Sequence, residues 1–524
     1  MWDVIVVGGG FAGIHAAHTL EAQLPGARIL VLEGADRLGG RARSVAVADG
    51  HALDLGAHYF GVRHRRVTDL ARRLVGEAGI YSHIPCYGGD PACRTWLEGQ
   101  WRVTTRSASY LNIQGLSRAV SWEHRVRIFE SLLRYLELEA RIDRERPWAS
   151  PGAAALDAMT VEQWIASQRL PKWIHEMWTL AVLNIMSVWP RQLSLLYWLW
   201  YNATNDGFLK VADDYVDGPQ EFCVTIGMQG LLERHAAELR GPVRLATKVA
   251  AIDRGAPDRV VVRTEHGETL VARRVIVAAT PAACRRIEFT PALSPERELL
   301  HAQPVGHAAK AVLVYRGPWW HDARGVHFNV FSAGAEAEGI EWVLDTSHPD
   351  GRQHSLSAFV SDRLIDRAGP DPEARRRAVV AAMVELTGDP RAAEATAVHV
   401  HDWREQPLVG GGPNTCFGPG VLTRVGEALH RPEGARLWFT SSEHATEYTG
   451  YLEGALAAGE RCGRAVARAL AEELTIAARI EAAPPASGPR PLQRAGVRLL
   501  QGLMLPARLA ADAARAVRGS EARL

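Results

Sequence analysis

The stretch that decides the fold reads Val4-Ile5-Val6-Val7-Gly8-Gly9-Gly10-Phe11-Ala12-Gly13. A short apolar run that ends in glycines is typical of a buried parallel strand. Residues 13–23 then carry apolar and small residues at helical spacing, and residues 28–33 form a second apolar run. The order of strand, glycine turn, helix and strand predicts one βαβ unit.

Each glycine of this G-x-G-x-x-G pattern has a separate physical purpose. Gly8 makes the tight turn, Gly10 lets the backbone approach a pyrophosphate, and Gly13 lets the helix pack closely on the strand. The helix N-terminus offers free N–H groups to the phosphates. Glu33 follows at the distance, about 20 residues, at which an acid accepts hydrogen bonds from a ribose. The sequence therefore predicts a dinucleotide-binding domain rather than an incidental glycine turn.

Two further glycine turns indicate which dinucleotide binds. Arg37-Leu38-Gly39-Gly40-Arg41-Ala42-Arg43 lies just beyond Glu33, and Asp54-Leu55-Gly56-Ala57-His58-Tyr59 follows it. Paired glycines between arginines are suited to a second loop folded over a phosphate, which NAD enzymes do not usually need. The pattern favours FAD over NAD.

Composition excludes several other classes of protein. The chain has 524 residues, 23% of them charged, and a net charge of +1, so neither disorder nor nucleic-acid binding is indicated. Its six cysteines are scattered without zinc-site spacing, which predicts no metal site. We find no secretory signal and no run of about 20 apolar residues. These features predict a cytoplasmic protein.

Coarse elements can be placed along the rest of the chain. Helical patterns cover 120–140, 193–201, 372–386 and 450–470, and many tryptophans between 122 and 200 predict a helical subdomain with an aromatic core. Strands are expected at 260–262 and 269–271, as a hairpin about His266-Gly267, and at 275–278, 309–315, 354–360 and 437–440.

The ordered set of motifs resembles the flavin-containing amine oxidases, in particular the monoamine oxidases, from Met1 to about Leu470. The pieces that carry the resemblance are Gly8 to Gly13, Glu33, Gly39-Gly40-Arg41, Asp54 to Ala57, Trp198 to Tyr201, Pro304 to Lys310, Trp403 with Gly410-Gly411, Phe439 to Thr446, and Gly450 to Ala455. The resemblance implies an α/β fold with a discontinuous Rossmann-like FAD-binding domain and a mixed helical and β-sheet substrate domain.

The resemblance also divides the chain. The FAD-binding domain is expected at 1–75, 220–292 and 430–475, and the substrate domain at 76–219 and 293–429. Residues 476–491, rich in Pro, Ala, Ser and Gly towards their end, read as a linker, and 492–524 as a basic amphipathic helix. That helix could lie on an anionic membrane as a peripheral contact. The alternatives are that it packs on its own protein or on the partner in a homodimer.

Cofactor contacts follow residue by residue. The resemblance assigns FAD binding to Gly8, Gly10, Gly13, Glu33, Gly40, Arg41, Arg43, Gly56, Ala57, Val249, Trp403, Glu443 and Leu452. It places Lys310 at a water beside flavin N5 and Tyr451 in the aromatic cage that faces the flavin. These two are the expected catalytic residues.

Departures from the family pattern bear on cofactor and substrate. Gly412 and Pro413 stand where the monoamine oxidases have the flavin-linking cysteine and the second cage tyrosine. FAD is therefore expected to be non-covalent, and simple arylalkylamines are disfavoured. No arginine follows Gly56-Ala57 to clamp a carboxylate, which disfavours α-amino acids. The residues expected to contact substrate are Tyr451, Pro413, His58, Phe208 and Gln220. For His58, a structural role is the alternative.

The favoured hypothesis is an FAD-dependent oxidase that removes a hydride from the carbon next to an amine nitrogen. The imine then hydrolyses to a carbonyl, and molecular oxygen is reduced to hydrogen peroxide. One alternative is an FAD-dependent C–C dehydrogenase of the protoporphyrinogen oxidase or desaturase kind. A second is a non-catalytic flavoprotein.

Overall fold

The computed structural model describes residues 1–47, 50–82, 92–97, 100–105, 121–212, 218–321, 326–327, 329–331 and 339–482. Residues 1–467 form one compact unit, and 468–524 are grouped separately. The cofactor-binding and substrate segments predicted up to residue 467 therefore lie within a single unit.

A large sheet contains the glycine-rich motif. Its strands are β1 (Trp2–Val7), β2 (Ile29–Leu32), β9 (Val243–Arg244), β10 (Val249–Asp253), β11 (Val260–Thr264), β12 (Thr269–Val277), β13 (Glu288–Thr290) and β20 (Leu437–Phe439). They run in the order β13-β10-β11-β12-β1-β2-β9, with β20 also paired to β12. All eight come from the three segments assigned to the FAD-binding domain, whose boundaries stay a prediction.

The sequence divided β12 wrongly. It predicted separate strands at 269–271 and 275–278, but one strand runs through Thr269–Val277. Its first half pairs antiparallel with β11, and its second half pairs parallel with β1 and β20. Arg273 and Arg274 lie where the strand changes partner. They interrupt the apolar pattern of the sequence, but the strand continues through them.

A second, antiparallel sheet carries Lys310. Its strands are β14 (Ala309–Tyr315), β16 (Asn329–Phe331), β17 (Ile340–Asp345), β18 (His354–Val360) and β19 (Ala397–Asp402), in the order β16-β17-β18-β14-β19. Strand β14, which lies between β18 and β19, is buried along almost its whole length. Both β14 and β18 have the bounds that the sequence predicts.

Among the described residues, seven further strands form small sheets of two or three strands. They are β3 (Ser44–Ala46), β4 (Ala52–Asp54), β5 (Ile80–Ser82), β6 (Ala92–Leu97), β7 (Gln100–Thr105), β8 (Phe222–Val224) and β15 (Val326–His327). Strands β3 and β4 form an antiparallel pair that leads directly into Gly56.

Helices cover the sheets and form the predicted helical part. They are α1 (Phe11–Gln23), α2 (Arg65–Val75), α3 (Trp122–Glu139), α4 (Ala153–Ala158), α5 (Val161–Ser167), α6 (Lys172–Met186), α7 (Leu195–Thr204), α8 (Phe208–Val211), α9 (Gly227–Ala237), α10 (Pro281–Cys284), α11 (Pro295–His301), α12 (Asp362–Ala368), α13 (Pro372–Thr387), α14 (Leu422–Val425) and α15 (Leu452–Ala482). Every residue of α7 is buried. The expected aromatic core is confirmed, since Trp178, Trp198 and Trp200 are 0% exposed.

The last described helix is longer than predicted. Helix α15 continues past 475, where the linker was expected to begin, because residues 475–482 contain no helix breaker before Pro484. The remainder of the predicted linker and the basic segment 492–524 lie outside the described residues. Within the described part of the chain, no helix combines the length and low charge needed to cross a bilayer.

Candidate active site

One cavity of about 800 Å³ joins the two sheets. The N-terminus of α1, the loop after β2 and residues 55–59 form one part of its wall. Lys310 of β14, residues 403–414 and the start of α15 complete it. The cavity therefore collects most of the motifs that the sequence singled out, although Gly8 and Leu452 are separated by more than 400 residues of chain.

The glycine motif has the geometry that its spacing predicts. A Cβ on Gly13 would lie 2.0 Å from the carbonyl oxygen of Gly8, so the helix contacts the turn at this point. A Cβ on Gly10 would meet nothing closer than 3.8 Å and would project into the cavity wall. No side chain caps the first turn of α1. Its N–H groups are therefore available to an anion.

Glu33 is fixed at the end of β2. Its carboxylate accepts hydrogen bonds from the backbone N–H groups of Gly9 (2.6 Å) and Ala35 (2.8 Å). Burial raises the pKa of this carboxyl, although these hydrogen bonds act in the opposite direction. The side chain lines the cavity and presents acceptors there, as binding of a ribose requires.

Half-buried Arg41 and fully buried Glu443 form an ion pair beside the cavity. The guanidinium donates to both carboxylate oxygens, at 2.8 and 2.9 Å, and to the Pro413 carbonyl at 2.6 Å. Burial of Glu443 acts to raise its pKa, but Arg41 outweighs that effect and holds the value at about 2. Glu443 does not itself line the cavity, whereas Arg41 does. Glu443 therefore fixes the guanidinium of Arg41 without itself forming part of the cavity wall.

Other expected cofactor residues also meet at this cavity. Gly8, Gly40, Arg43, Gly56, Ala57, Val249, Trp403 and Leu452 all line it. Trp403 donates from its indole nitrogen to the Leu55 carbonyl at 3.0 Å, and its ring lies against Gly56. This contact fixes the indole as part of the wall.

Lys310 is buried at the cavity wall. It is 3% exposed, and its ammonium nitrogen lies 3.1 Å from Nδ1 of His58. Burial lowers the pKa of Lys310 to about 8, although the neighbouring Asp54 carboxylate acts in the opposite direction. Burial likewise raises the pKa of Asp54 to about 7. The two groups lie close enough to interact electrostatically inside the protein.

The surroundings of Tyr451 contain more aromatic rings than the sequence indicated. Tyr451 stacks on Tyr201 with ring centroids 6.3 Å apart, while Pro413 lines the same cavity. Tyr59, Trp342 and Phe359 are further lining residues. These three rings and Tyr201 were not predicted to line the cavity, since aromatic residues in apolar segments are typical of a core. Alternation along the second sheet was the available signal for Trp342 and Phe359, which stack 5.1 Å apart.

Phe208 was placed wrongly at the substrate cavity. It is 0% exposed and stacks on Trp178 in the aromatic core, with centroids 5.3 Å apart. It is absent from the cavity wall because the start of α8 turns its side chain towards the helices. Gln220 does line the cavity and also donates to the Val211 carbonyl at 3.4 Å.

Two clusters of histidine and carboxylate groups lie elsewhere, although the sequence predicts no metal site. They are His18 with His235 and Glu238, and His51 with His348 and Asp350. Neither cluster lines the cavity. The expected absence of a metal stays a prediction.

The cavity fits an FAD molecule along its wall. The uncapped helix α1 and the open space at Gly10 suit a pyrophosphate, and the carboxylate of Glu33 suits a ribose. The cavity continues from there to Lys310, Trp403 and Tyr451. Fold and cavity together define a dinucleotide-binding oxidoreductase.

Comparison with known proteins identifies the family. The profile of the flavin containing amine oxidoreductases matches residues 11–467. The chain belongs to this family, and it is accordingly an FAD-dependent enzyme that oxidises amines.

Individual relatives agree over most of their length. An amine oxidase [flavin-containing] of Oncorhynchus mykiss is 30% identical over 480 residues, covering 89% of this chain and 85% of the relative. An amine oxidase [flavin-containing] A of Sus scrofa is 28% identical, covering 90% and 86%. Among solved structures, the cyclohexylamine oxidase from Brevibacterium oxydans IH-35A is 30% identical with a TM-score of 0.77, covering 90% of this chain and 99% of that one.

Proposed function

We propose that the protein oxidises small monoamines with an apolar body to imines, which hydrolyse to carbonyl compounds as oxygen is reduced to hydrogen peroxide. The observation that carries this proposal is the distribution of charge along the cavity wall. Among the described lining residues, the acids Glu33 and Asp36 both follow β2 at the βαβ end. Near Tyr451 and Lys310, the described lining side chains are aromatic or uncharged apart from the lysine and Arg41, whose guanidinium reaches the Pro413 carbonyl but is paired with Glu443. The buried Asp54 carboxyl interacts with Lys310 but does not line the cavity.

This distribution disfavours two other classes of amine. A diamine carries a second ammonium group, which needs an acid in a buried site. An amino acid carries a carboxylate, which needs a guanidinium. The lining arginines, Arg37, Arg41, Arg43 and Arg286, belong to the loop after β2 and to the segment after α10. A single amine on an apolar body has neither requirement.

The shape around Tyr451 supports an aliphatic substrate. Pro413 lines the same cavity as Tyr451 and stands in sequence where the family has its second cage tyrosine. Without a second parallel ring the site loses its selectivity for a flat aryl amine, which also underlies the expectation against simple arylalkylamines. A solved relative of 30% identity is a cyclohexylamine oxidase. We therefore propose alicyclic or branched alkyl monoamines as the preferred class.

Bound FAD supplies the electron acceptor for hydride removal from the carbon next to nitrogen and passes the electrons to oxygen. The protein's own groups prepare the substrate. Lys310 and the lack of a nearby acid among the described lining residues disfavour a second cation in this desolvated site, so the amine binds in its neutral form. Tyr451 and Tyr201 orient the lone pair of the amine nitrogen. The ammonium group of Lys310 is itself a hydrogen-bond donor at the cavity wall.

We also propose that FAD is held without a covalent bond. Cys416 lies three residues beyond Pro413, but it is 0% exposed and its thiol points to the carbonyls of Met186 and Asn414. No cysteine among the described residues lines the cavity. Acid precipitation should therefore release the yellow cofactor into the supernatant.

Anaerobic reduction of the flavin band tests the substrate class. Cyclohexylamine, benzylamine, putrescine and phenylalanine are added separately to the holoenzyme, and the bleaching rate constant is measured at equal concentration. We expect cyclohexylamine to react fastest and putrescine and phenylalanine to leave the band intact. Peroxide formed on readmission of air measures the oxygen step.

Opposite results would favour other functions. Rapid bleaching by putrescine or phenylalanine would contradict the charge argument. A flavin that no amine bleaches would favour the C–C dehydrogenase or a non-catalytic flavoprotein. Cytoplasmic location, a homodimer and membrane contact through 492–524 stay predictions.

A further inference from the structure

Lys310 and His58 form a buried polar contact at the cavity wall. The distance between the lysine Nζ and the histidine Nδ1 is 3.1 Å, and both residues line the cavity. They are 3% and 6% exposed. While Lys310 carries its proton, the ammonium group has donors only, so Nδ1 of His58 is the acceptor and the ring proton lies on Nε2.

The acceptor is held in place. The His58 ring stacks almost flat on Tyr59, with centroids 4.1 Å apart and 8° between the planes. The preceding residue, Ala57, donates its N–H to the Arg41 carbonyl at 3.0 Å. A ring fixed from both directions gives the ammonium an acceptor at a defined position and costs little further entropy.

Several other side chains lie around Lys310. Asp54 is 2% exposed and accepts from the Ser44 hydroxyl (2.5 Å) and the Met228 N–H (3.0 Å). Asp54 and Cys223 both act to raise the pKa of Lys310, against the larger lowering effect of burial. Across the strands, Lys310 pairs with Phe359 and His401. Burial lowers the pKa of His401 to about 4, so that ring adds no charge near neutral pH.

We propose that His58 is a positioning residue for Lys310: it accepts one hydrogen bond from the ammonium and directs the remaining N–H bonds into the cavity. The proposal rests on the proposed function to the extent that Lys310 acts at the reacting atoms. It differs from both expectations for His58 from the sequence, a direct substrate contact and a merely structural ring. A hydrogen bond to the charged form also raises the proton affinity of the lysine.

The scarcity of lysine makes the test direct. The chain has four lysines, Lys172, Lys210, Lys248 and Lys310. Holoenzyme labelled with ¹³Cε-lysine therefore gives few signals, and Lys310→Met identifies the one to follow. We expect that signal to titrate near pH 8 in the unsubstituted protein.

The variants separate the role of the acceptor from the bulk of the ring. His58→Leu removes the acceptor and should lower the titration midpoint by about one pH unit, a tenfold loss of proton affinity, as expected for a lost hydrogen bond to a charged group. His58→Asn keeps an acceptor near the Nδ1 position and should retain the midpoint. If the leucine variant fails to fold, His58→Gln replaces it, because its longer amide does not reproduce that position. An unchanged midpoint in the variant without the acceptor, or an equal fall in His58→Asn, would overturn the proposal.

Kinetics supply the second readout. His58→Leu should slow amine-dependent flavin reduction or its reoxidation by about tenfold. In a Lys310→Met background the same change should have no further effect, since a positioning residue acts through its partner. A further loss in that background, above all in KM, would show a direct substrate contact and overturn the proposal. If no amine reduces the flavin of the unsubstituted protein, the proposed function fails, while the lysine titration still decides whether His58 holds Lys310.

Discussion

Arg41→Met should destabilise the protein through the charge it leaves behind on Glu443. The glutamate side chain is 1% exposed and has both oxygens paired with the guanidinium. The fall of its pKa from the ordinary 4.5 to about 2 corresponds to about 3 kcal/mol. Breaking a buried pair typically costs about 3 to 5 kcal/mol. We therefore expect a loss of that size.

Thermal unfolding of the apoprotein measures this loss without a contribution from bound FAD, because Arg41 also lines the cofactor cavity. A compact unit of 467 residues has an unfolding entropy of about 1 kcal/mol/K, so Tm should fall by about 3 to 5 °C. Arg41→Lys keeps the charge but not the paired hydrogen bonds, so its Tm should lie between those of the unsubstituted protein and Arg41→Met. Arg41→Met combined with Glu443→Gln removes both charges and should recover most of the loss.

The effect should also depend on pH in a defined direction. Because Arg41 depresses the pKa of Glu443 in the folded state, the pair stabilises the protein above about pH 4.5, and this stabilisation is lost as pH falls towards 2. In Arg41→Met, burial alone raises the pKa, so the glutamate protonates and the deficit shrinks at low pH. The difference in Tm should therefore be larger at pH 8 than at pH 5. A fall below 1 °C, or a double variant no more stable than Arg41→Met, would refute this reasoning.

Three further predictions follow from the same geometry. Gly13→Ala places a methyl group 2.0 Å from the Gly8 carbonyl oxygen and should lower Tm in the apoprotein, whereas Gly10→Ala meets nothing closer than 3.8 Å and should weaken only FAD binding, measured by flavin fluorescence titration. Glu33→Gln should weaken FAD binding about tenfold, as expected for hydrogen bonds to a charged acceptor, without altering the bleaching rate of saturated enzyme. Phe208→Ala should cost about 3 to 5 kcal/mol of stability in urea unfolding, with KM for the amine unchanged, because the ring lies in the aromatic core; a raised KM at retained stability would contradict that placement.

Much of the cofactor half could be predicted because its motifs are local. Gly8, Gly10 and Gly13 act within one turn of chain, and backbone sterics alone give each its place. Helix α1 and strands β14 and β18 follow from periodicity. The partners of β12 could not be predicted, since the change from an antiparallel to a parallel neighbour depends on strands far away in sequence.

The sequence by itself determined the βαβ unit, the FAD-binding motif and the family resemblance, since these depend on residues that are neighbours in the chain. Only the tertiary structure decided that Glu443 pairs with Arg41, that His58 contacts Lys310, and that Phe208 belongs to the core. Each of these depends on packing between elements, and the sequence pattern of a buried ring or a paired charge is the same wherever its partner lies.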